Sequence, residues 1–243
     1  MSPVLAAQGL RKAFGAVTAA ADISLSFDAD TVVSLIGANG AGKTTFLNMV
    51  TGYLRPDSGR ILFGGRDIVG LDPRRIARLG ISRSFQIPQL FHTLSVRDNL
   101  LIAESIAGAA DPQTATGEAL ERFALGGYAA QKAGLLPEGV RKLLDIAMAL
   151  SSRSKLLLLD EPTSGVSADE KFAIMDVVMG AARAAGVTVI FVEHDMDIVG
   201  RFAGRVVAFY EGGIIADGAP DSVLRAPDVR RYVIGEEISH ALP

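Results

Sequence analysis

The residues Gly37-Ala38-Asn39-Gly40-Ala41-Gly42-Lys43-Thr44 place three glycines, a lysine and a hydroxyl at the spacing of a Walker A loop. Glycine lets backbone N–H groups approach and wrap phosphates. A helix opening near Lys43 turns its positive end to the same anion. Lys43 then reaches the β- and γ-phosphates, and the Thr44 hydroxyl suits Mg²⁺; Thr45 completes the candidate nucleotide contacts. Downstream, Leu156-Leu157-Leu158-Leu159 runs into Asp160-Glu161, an apolar stretch ending in two carboxylates. Asp160 suits Mg²⁺ through water, because hard cations take oxygen ligands, and Glu161 is placed to orient or deprotonate an attacking water. Alone, such a run is a strand end at a surface. With the phosphate loop upstream, the pair reads as nucleotide hydrolysis.

These groups need a scaffold. Val32 to Ile36 is short, apolar and β-branched, a buried strand feeding the glycine loop. Phe46, Met49, Val50 and Tyr53 recur at helical spacing after it, and Gly52 with Pro56-Asp57-Ser58-Gly59 ends that helix and turns the chain. Ile23, Leu25 and Phe27 alternate with serines as a half-buried strand. Leu156–Leu159, Val187–Val192 and Arg205–Tyr210 read as further strands, and Gly212-Gly213 marks a hairpin-like turn before Ile214-Ile215. Ile174, Val177, Val178 and Ala181 mark a helix. From Val96 to about Leu150 the chain is rich in Ala, Leu and Glu and reads as a helical insertion, its last helix carrying Val140, Leu143, Leu144 and Ala147 on one face. Strands alternating with helices predict a mainly parallel sheet with helices on both faces.

The bulk properties agree. A chain of 243 residues, 49 % hydrophobic and 21 % charged, suits one α/β domain with a buried core. A net charge of −3 does not mark a nucleic-acid binder. The absence of cysteine excludes disulfides and thiolate metal sites. No secretory h-region opens the chain, and no apolar run approaches the roughly 20 residues of a membrane span.

The order of the Walker A loop, Phe85-Gln86, Asp160-Glu161-Pro162-Thr163-Ser164-Gly165 and Val192-Glu193-His194-Asp195 resembles the ATPases of ABC transporters over essentially the whole chain. The resemblance implies a RecA-like P-loop core with an antiparallel β subdomain and an inserted helical subdomain, divided near 1–86, 87–150 and 151–243. It implies ATP and Mg²⁺ as ligands. Phe14 would stack on adenine, Gln86 would link Mg²⁺ and water to the helical subdomain and permease, and His194 would contact the γ-phosphate. Each has a bland alternative, Phe14 as core, Gln86 as a solvated amide and His194 as structural. His194 closes the strand from Val187, which puts it at the carboxyl end where open α/β sheets bind ligands.

The family's Leu-Ser-Gly-Gly-Gln signature is altered to Leu136-Pro137-Glu138-Gly139-Val140, followed by Arg141 and a helix. In the family this loop binds the partner subunit's γ-phosphate. Pro137 has neither hydroxyl nor N–H, and Glu138 repels phosphate if it faces inward. Ser167 stands where the family's D-loop has Asp. Either a helix N-terminus still supplies positive potential, or the chain pairs with a different ATPase subunit; the second is favoured. Arg83-Ser84-Phe85-Gln86, Leu90-Phe91, Leu94 to Leu100, Glu193-His194-Asp195-Met196 and the tail from Pro227 to Gly235-Glu236 are similar to ATPases of branched-chain amino acid uptake. That implies transmembrane permeases, a second ATPase subunit, an external solute-binding protein and a place on the cytoplasmic membrane face. Relatives serving lipopolysaccharide export, and a weakly hydrolysing regulatory subunit, are the alternatives. Ile87, Pro88, Leu90 and Phe91 either pack inside or help form a groove for a permease helix. Arg74, Arg75, Arg78 and Arg83 read as a solvated helix face, with attraction to an anionic membrane surface as the alternative.

Overall fold

The computed structural model describes residues 3–151 and 153–235. In chain order these form β1 (Leu5–Phe14), β2 (Val17–Phe27), β3 (Val32–Gly37), α1 (Lys43–Val50), β4 (Ser58–Phe63), β5 (Arg66–Asp67), α2 (Pro73–Leu79), β6 (Ile81–Ser84) and α3 (Val96–Ala107). Then come α4 (Pro112–Arg122), α5 (Glu138–Leu150), β7 (Leu156–Asp160), α6 (Ala168–Ala184), β8 (Thr188–Val192), α7 (Met196–Phe202), β9 (Arg205–Tyr210), β10 (Gly213–Gly218) and α8 (Pro220–Leu224). Two compact units result: the described residues up to Pro73 with those from Val192 onward, and Arg74–Phe191. Glu236, at the end of the tail motif, lies outside the described residues.

The first unit holds an antiparallel sheet in the order β2-β1-β4-β5. The alternation in β2 buries Ile23, Leu25 and Phe27 and exposes the serines between them. Beside it, β3 runs parallel to β9, with Val33 opposite Arg205 and Gly37 opposite Phe209. β9 turns back into antiparallel β10 through Glu211-Gly212, both left-handed at φ 47° and 76°, the geometry of a tight two-residue hairpin. Phe46 of α1 packs between Phe27 and Phe209, with ring centroids 6.1 and 6.0 Å apart, which fixes the helix against both sheets' strands. α1 stops sooner than its spacing predicts. Thr51 caps it, and Tyr53 lies beyond the helix, 60 % exposed.

In the second unit β6 is parallel to β7, and β8 is the other neighbour of β7. Leu156 to Leu159 are fully buried, each contributing about 1.5–3 kcal/mol. The stretch from Val96 to Leu150 carries α3, α4 and α5. Ser95 and Asp98 form a reciprocal capping box on α3, and Gly108 ends that helix at φ 73°. Asp111 caps α4 ahead of Pro112. A Cβ on Gly139 of α5 would stand 2.8 Å from Ile174 Cδ1 of α6, so glycine permits the close approach of these two helices. Arg74, Arg75 and Arg78 do lie on α2, but Arg83 does not. It belongs to β6 and its side chain is almost wholly buried, so the four arginines are not one solvated helix face.

Candidate active site

In the first unit the loop from Gly37 to Gly42 leaves β3 and enters α1. Gly37 has φ 151° and Gly42 φ 108°; a Cβ on either would meet a backbone carbonyl oxygen at 2.5 Å, of Phe209 and Ala19 respectively. The loop is buttressed from outside by the β9–β10 turn, where the Gly212 N–H donates to the Ala41 carbonyl at 3.0 Å. Ala38, Asn39 and Gly40 are exposed at its tip, while Ala41 and Gly42 are buried beneath them. No side chain caps the first turn of α1 and no acidic residue stands in it, which leaves its positive end to the loop. Lys43 is 5 % exposed, and its Nζ donates to the carbonyls of Gly37 at 2.5 Å and Ala38 at 3.0 Å. The ammonium is thus stored inside the curl of the loop. Thr44 presents an exposed side chain beside it, and Thr45 is half-buried.

The same unit carries Phe14 and His194. Phe14 ends β1, is 52 % exposed and has Lys12 Nζ 5.6 Å from its ring centre; it is not a core aromatic. His194 is exposed just after β8, its N–H donating to the buried Glu193 carboxylate at 3.2 Å. Asp195 caps α7 by accepting from the Asp197 and Ile198 N–H groups.

In the second unit Asp160 and Glu161 leave β7 together. Arg83 donates to Asp160 Oδ2 at 2.7 Å, and both side chains are nearly buried. Glu161 adopts φ 52°, left-handed backbone that costs an L residue about 1–3 kcal/mol and concentrates at functional sites. The turn aims its side chain at Gln86, whose Nε2 donates to Glu161 Oε2 at 2.7 Å. Burial pushes the Asp145 carboxyl of α5 above the ordinary carboxylate range, against the N–H donors of Gln89 and Phe85. Among the described residues no cluster of three or more His, Cys, Asp or Glu side chains could hold a metal alone. Each unit separately presents oxygen donors of the kind Mg²⁺ takes, the exposed Thr44 hydroxyl in the first and the Asp160 carboxylate and Gln86 amide in the second.

A family model described as ABC transporter matches residues 20–164, from β2 through both carboxylates. The chain belongs to the ABC transporter family. It is similar to the high-affinity branched-chain amino acid transport ATP-binding protein BraF of Pseudomonas aeruginosa, at 33 % identity over 96 % of this chain and 98 % of that protein. LivG of Escherichia coli K12, of the same description, is 32 % identical over the same shares. A crystal structure of an ATP-binding cassette of an ABC transporter in its ADP conformation superposes at TM-score 0.87 with 32 % identity, covering 97 % of this chain and all of that one. The P-loop core, antiparallel sheet and inserted helices are therefore those of an ABC ATPase cassette, and the chain is an ABC transporter ATP-binding subunit homologous to the branched-chain amino acid uptake ATPases.

In this ABC cassette the altered signature does not precede the helix, as its sequence suggests, but enters it. Leu136 is buried, Pro137 is the N-cap at φ −56° and ψ 154°, and Glu138 and Gly139 already belong to α5 with Val140. Glu138 is tied to Arg141 one turn on, so its charge is partly balanced within the helix. Ser167 stands at the N-cap position of α6 without a side-chain cap bond to the backbone, and its hydroxyl donates to the Glu170 carboxylate at 2.8 Å. After the Q-loop, Pro88 is buried, but Ile87 and Phe91 are exposed. Phe85, Phe91, Ile102 and Ile106 line a groove of about 690 Å³ with Arg78 and Asp145. Of the charged residues of the second unit, Arg83 reads in the sequence as part of a solvated helix face, and Lys142 and Asp145 escape notice there. The available signal for the last two was charge inside the nearly unbroken apolar run of α5, since a buried charge demands a partner.

Proposed function

We propose that this subunit binds and hydrolyses MgATP to drive uptake of branched-chain amino acids, or a related small polar solute, through membrane-spanning permeases. The observation that carries the reading is the buried Lys43 ammonium held inside a glycine loop at the uncapped start of α1. On this reading Phe14 stacks on adenine, and the loop from Gly37 to Thr45 takes the phosphates. Lys43 exchanges carbonyl oxygens for phosphate oxygens, a change that costs little because the ammonium is already desolvated in place. Thr44, Asp160 and Gln86 would hold Mg²⁺, which would supply neutralisation of phosphate charge when bound. Glu161 accepts the proton of the attacking water, Gln86 orients Glu161, and His194 contacts the γ-phosphate. The chemistry is positioning and electrostatics with no covalent intermediate.

The exposed apolar groove beside the Q-loop supports a permease helix as docking partner. Among the described residues no helix is long and apolar enough to cross a membrane. On this reading the chain works at the cytoplasmic membrane face on partners that span it. Closing of two ATPase subunits around ATP moves the permease, and hydrolysis reopens them. Pro137 and Glu138 at the start of α5 favour a different ATPase subunit as partner over a second copy, and an external solute-binding protein completes an uptake system. The test is uptake of labelled leucine, isoleucine and valine by cells lacking the gene. Wild-type chain restores uptake and Glu161→Gln does not; uptake that is unimpaired by loss of the gene contradicts the assigned cargo.

A further inference from the structure

Lys142 is 1 % exposed on α5, the helix that carries the signature residues at its start. Its Nζ donates to the backbone carbonyl of Gln86 at 2.7 Å and to that of Glu161 at 3.0 Å. Asp145, one turn later and also buried, accepts from the N–H groups of Phe85 at 3.3 Å and Gln89 at 2.8 Å. The two charges therefore grip the Q-loop backbone on both sides of Gln86, while Lys142 also holds the Glu161 main chain. That grip falls on a strained residue. Glu161 stays at φ 52°, and left-handed backbone at a non-glycine residue persists only where its surroundings over-determine it. The helix supplies Leu143, Leu144, Ile146 and Ala147 for packing. An ammonium here brings a desolvation penalty that an apolar side chain would avoid. What the ammonium adds is direction: it bonds the main chain of both residues whose side chains meet at 2.7 Å.

We infer that Lys142, with Asp145 as its counterpart, is a positioning residue for hydrolysis that makes the signature helix, the Q-loop and the Glu161 backbone move as one body. The inference rests on the reading of Glu161 as the general base. It gives this chain a route by which a change at the groove, whose lining includes Asp145, or at the α5 start reaches the catalytic carboxylate of the same subunit.

The test uses the transporter complex copurified through a tag on this chain, with steady-state phosphate release as readout. Lys142→Met lowers kcat by about 100-fold, the effect of a misplacement of about 1 Å, while KM for MgATP holds, and Lys142→Arg recovers most of the loss. An unchanged kcat in Lys142→Met overturns the inference. So does joint loss of kcat and nucleotide binding that Lys142→Arg fails to recover, the mark of a merely structural role. Asp145→Asn keeps the side-chain volume and tests the same clamp should Lys142→Met not fold. In that variant amide exchange across residues 85–89 of the full-length chain speeds up and kcat falls; unchanged exchange and kcat overturn the clamp. A wild-type complex that binds MgATP without releasing phosphate contradicts the role of Glu161 instead, and leaves amide exchange to judge the clamp.

Discussion

At the scale of single residues, two kinds of charge are at work. Lys43 is buried among carbonyls at the start of a helix, and Lys43→Ala removes the ammonium held in that curl. Fluorescent-nucleotide titration is expected to show loss of saturable MgATP binding. Arg83 is paired with Asp160, both side chains under a tenth exposed. Arg83→Ala leaves a buried carboxylate without its cation and is expected to cost about 3–5 kcal/mol in urea unfolding. The two kinds were unequally legible. Lys43, Thr44, Asp160 and Glu161 announce themselves because phosphate and metal chemistry demands them in contiguous runs. Arg83 lies 77 positions from Asp160, and Lys142 lies 56 from Gln86; only the fold brings such pairs together, and no local spacing records them.

At the scale of elements, the glycine loop is held by steric necessity. Gly42→Ala would push a methyl group to 2.5 Å from the Ala19 carbonyl oxygen while keeping φ at 108°. Lower melting temperature and weakened nucleotide binding are both expected, measured by calorimetry and titration. Ser95→Ala removes half of the α3 capping box and is expected to cost about 1 kcal/mol in urea unfolding, with nucleotide affinity retained. Elements with clean periodicity could be read directly: β2 by alternation, β3 and β7 as buried apolar runs, and α5 and α6 by their faces. β1 could not, because register shifts after Ala7, Leu10 and Lys12 break its alternation. β6 is four residues long and includes an arginine whose side chain is buried, which hides a core strand behind a charged residue. Gly52 marks the end of α1, whose C-cap is Thr51, although Tyr53 beyond it still falls at helical spacing.

At the scale of the molecule, the overall architecture was legible because phosphate loop, helical insertion and carboxylate pair follow one another in the order of an ABC cassette, and the family match over residues 20–164 agrees. The assembly was less legible, since partners meet surfaces rather than motifs. Ile106 is 82 % exposed on the groove wall, and Ile106→Glu is expected to reduce copurification of permease subunits with a tagged chain. If the proposed pairing with a different ATPase subunit holds, light scattering of purified Glu161→Gln protein is expected to give a monomer with or without MgATP; a nucleotide-dependent dimer would show that the altered loop serves as a signature for itself. ATP hydrolysis with Glu161 as base is tested most directly by phosphate release from MgATP by the copurified transporter carrying either wild-type chain or Glu161→Gln. Turnover is expected in the first and a fall of about 10²–10⁴-fold in the second, with nucleotide still bound. Equal turnover in both would contradict Glu161 as the base.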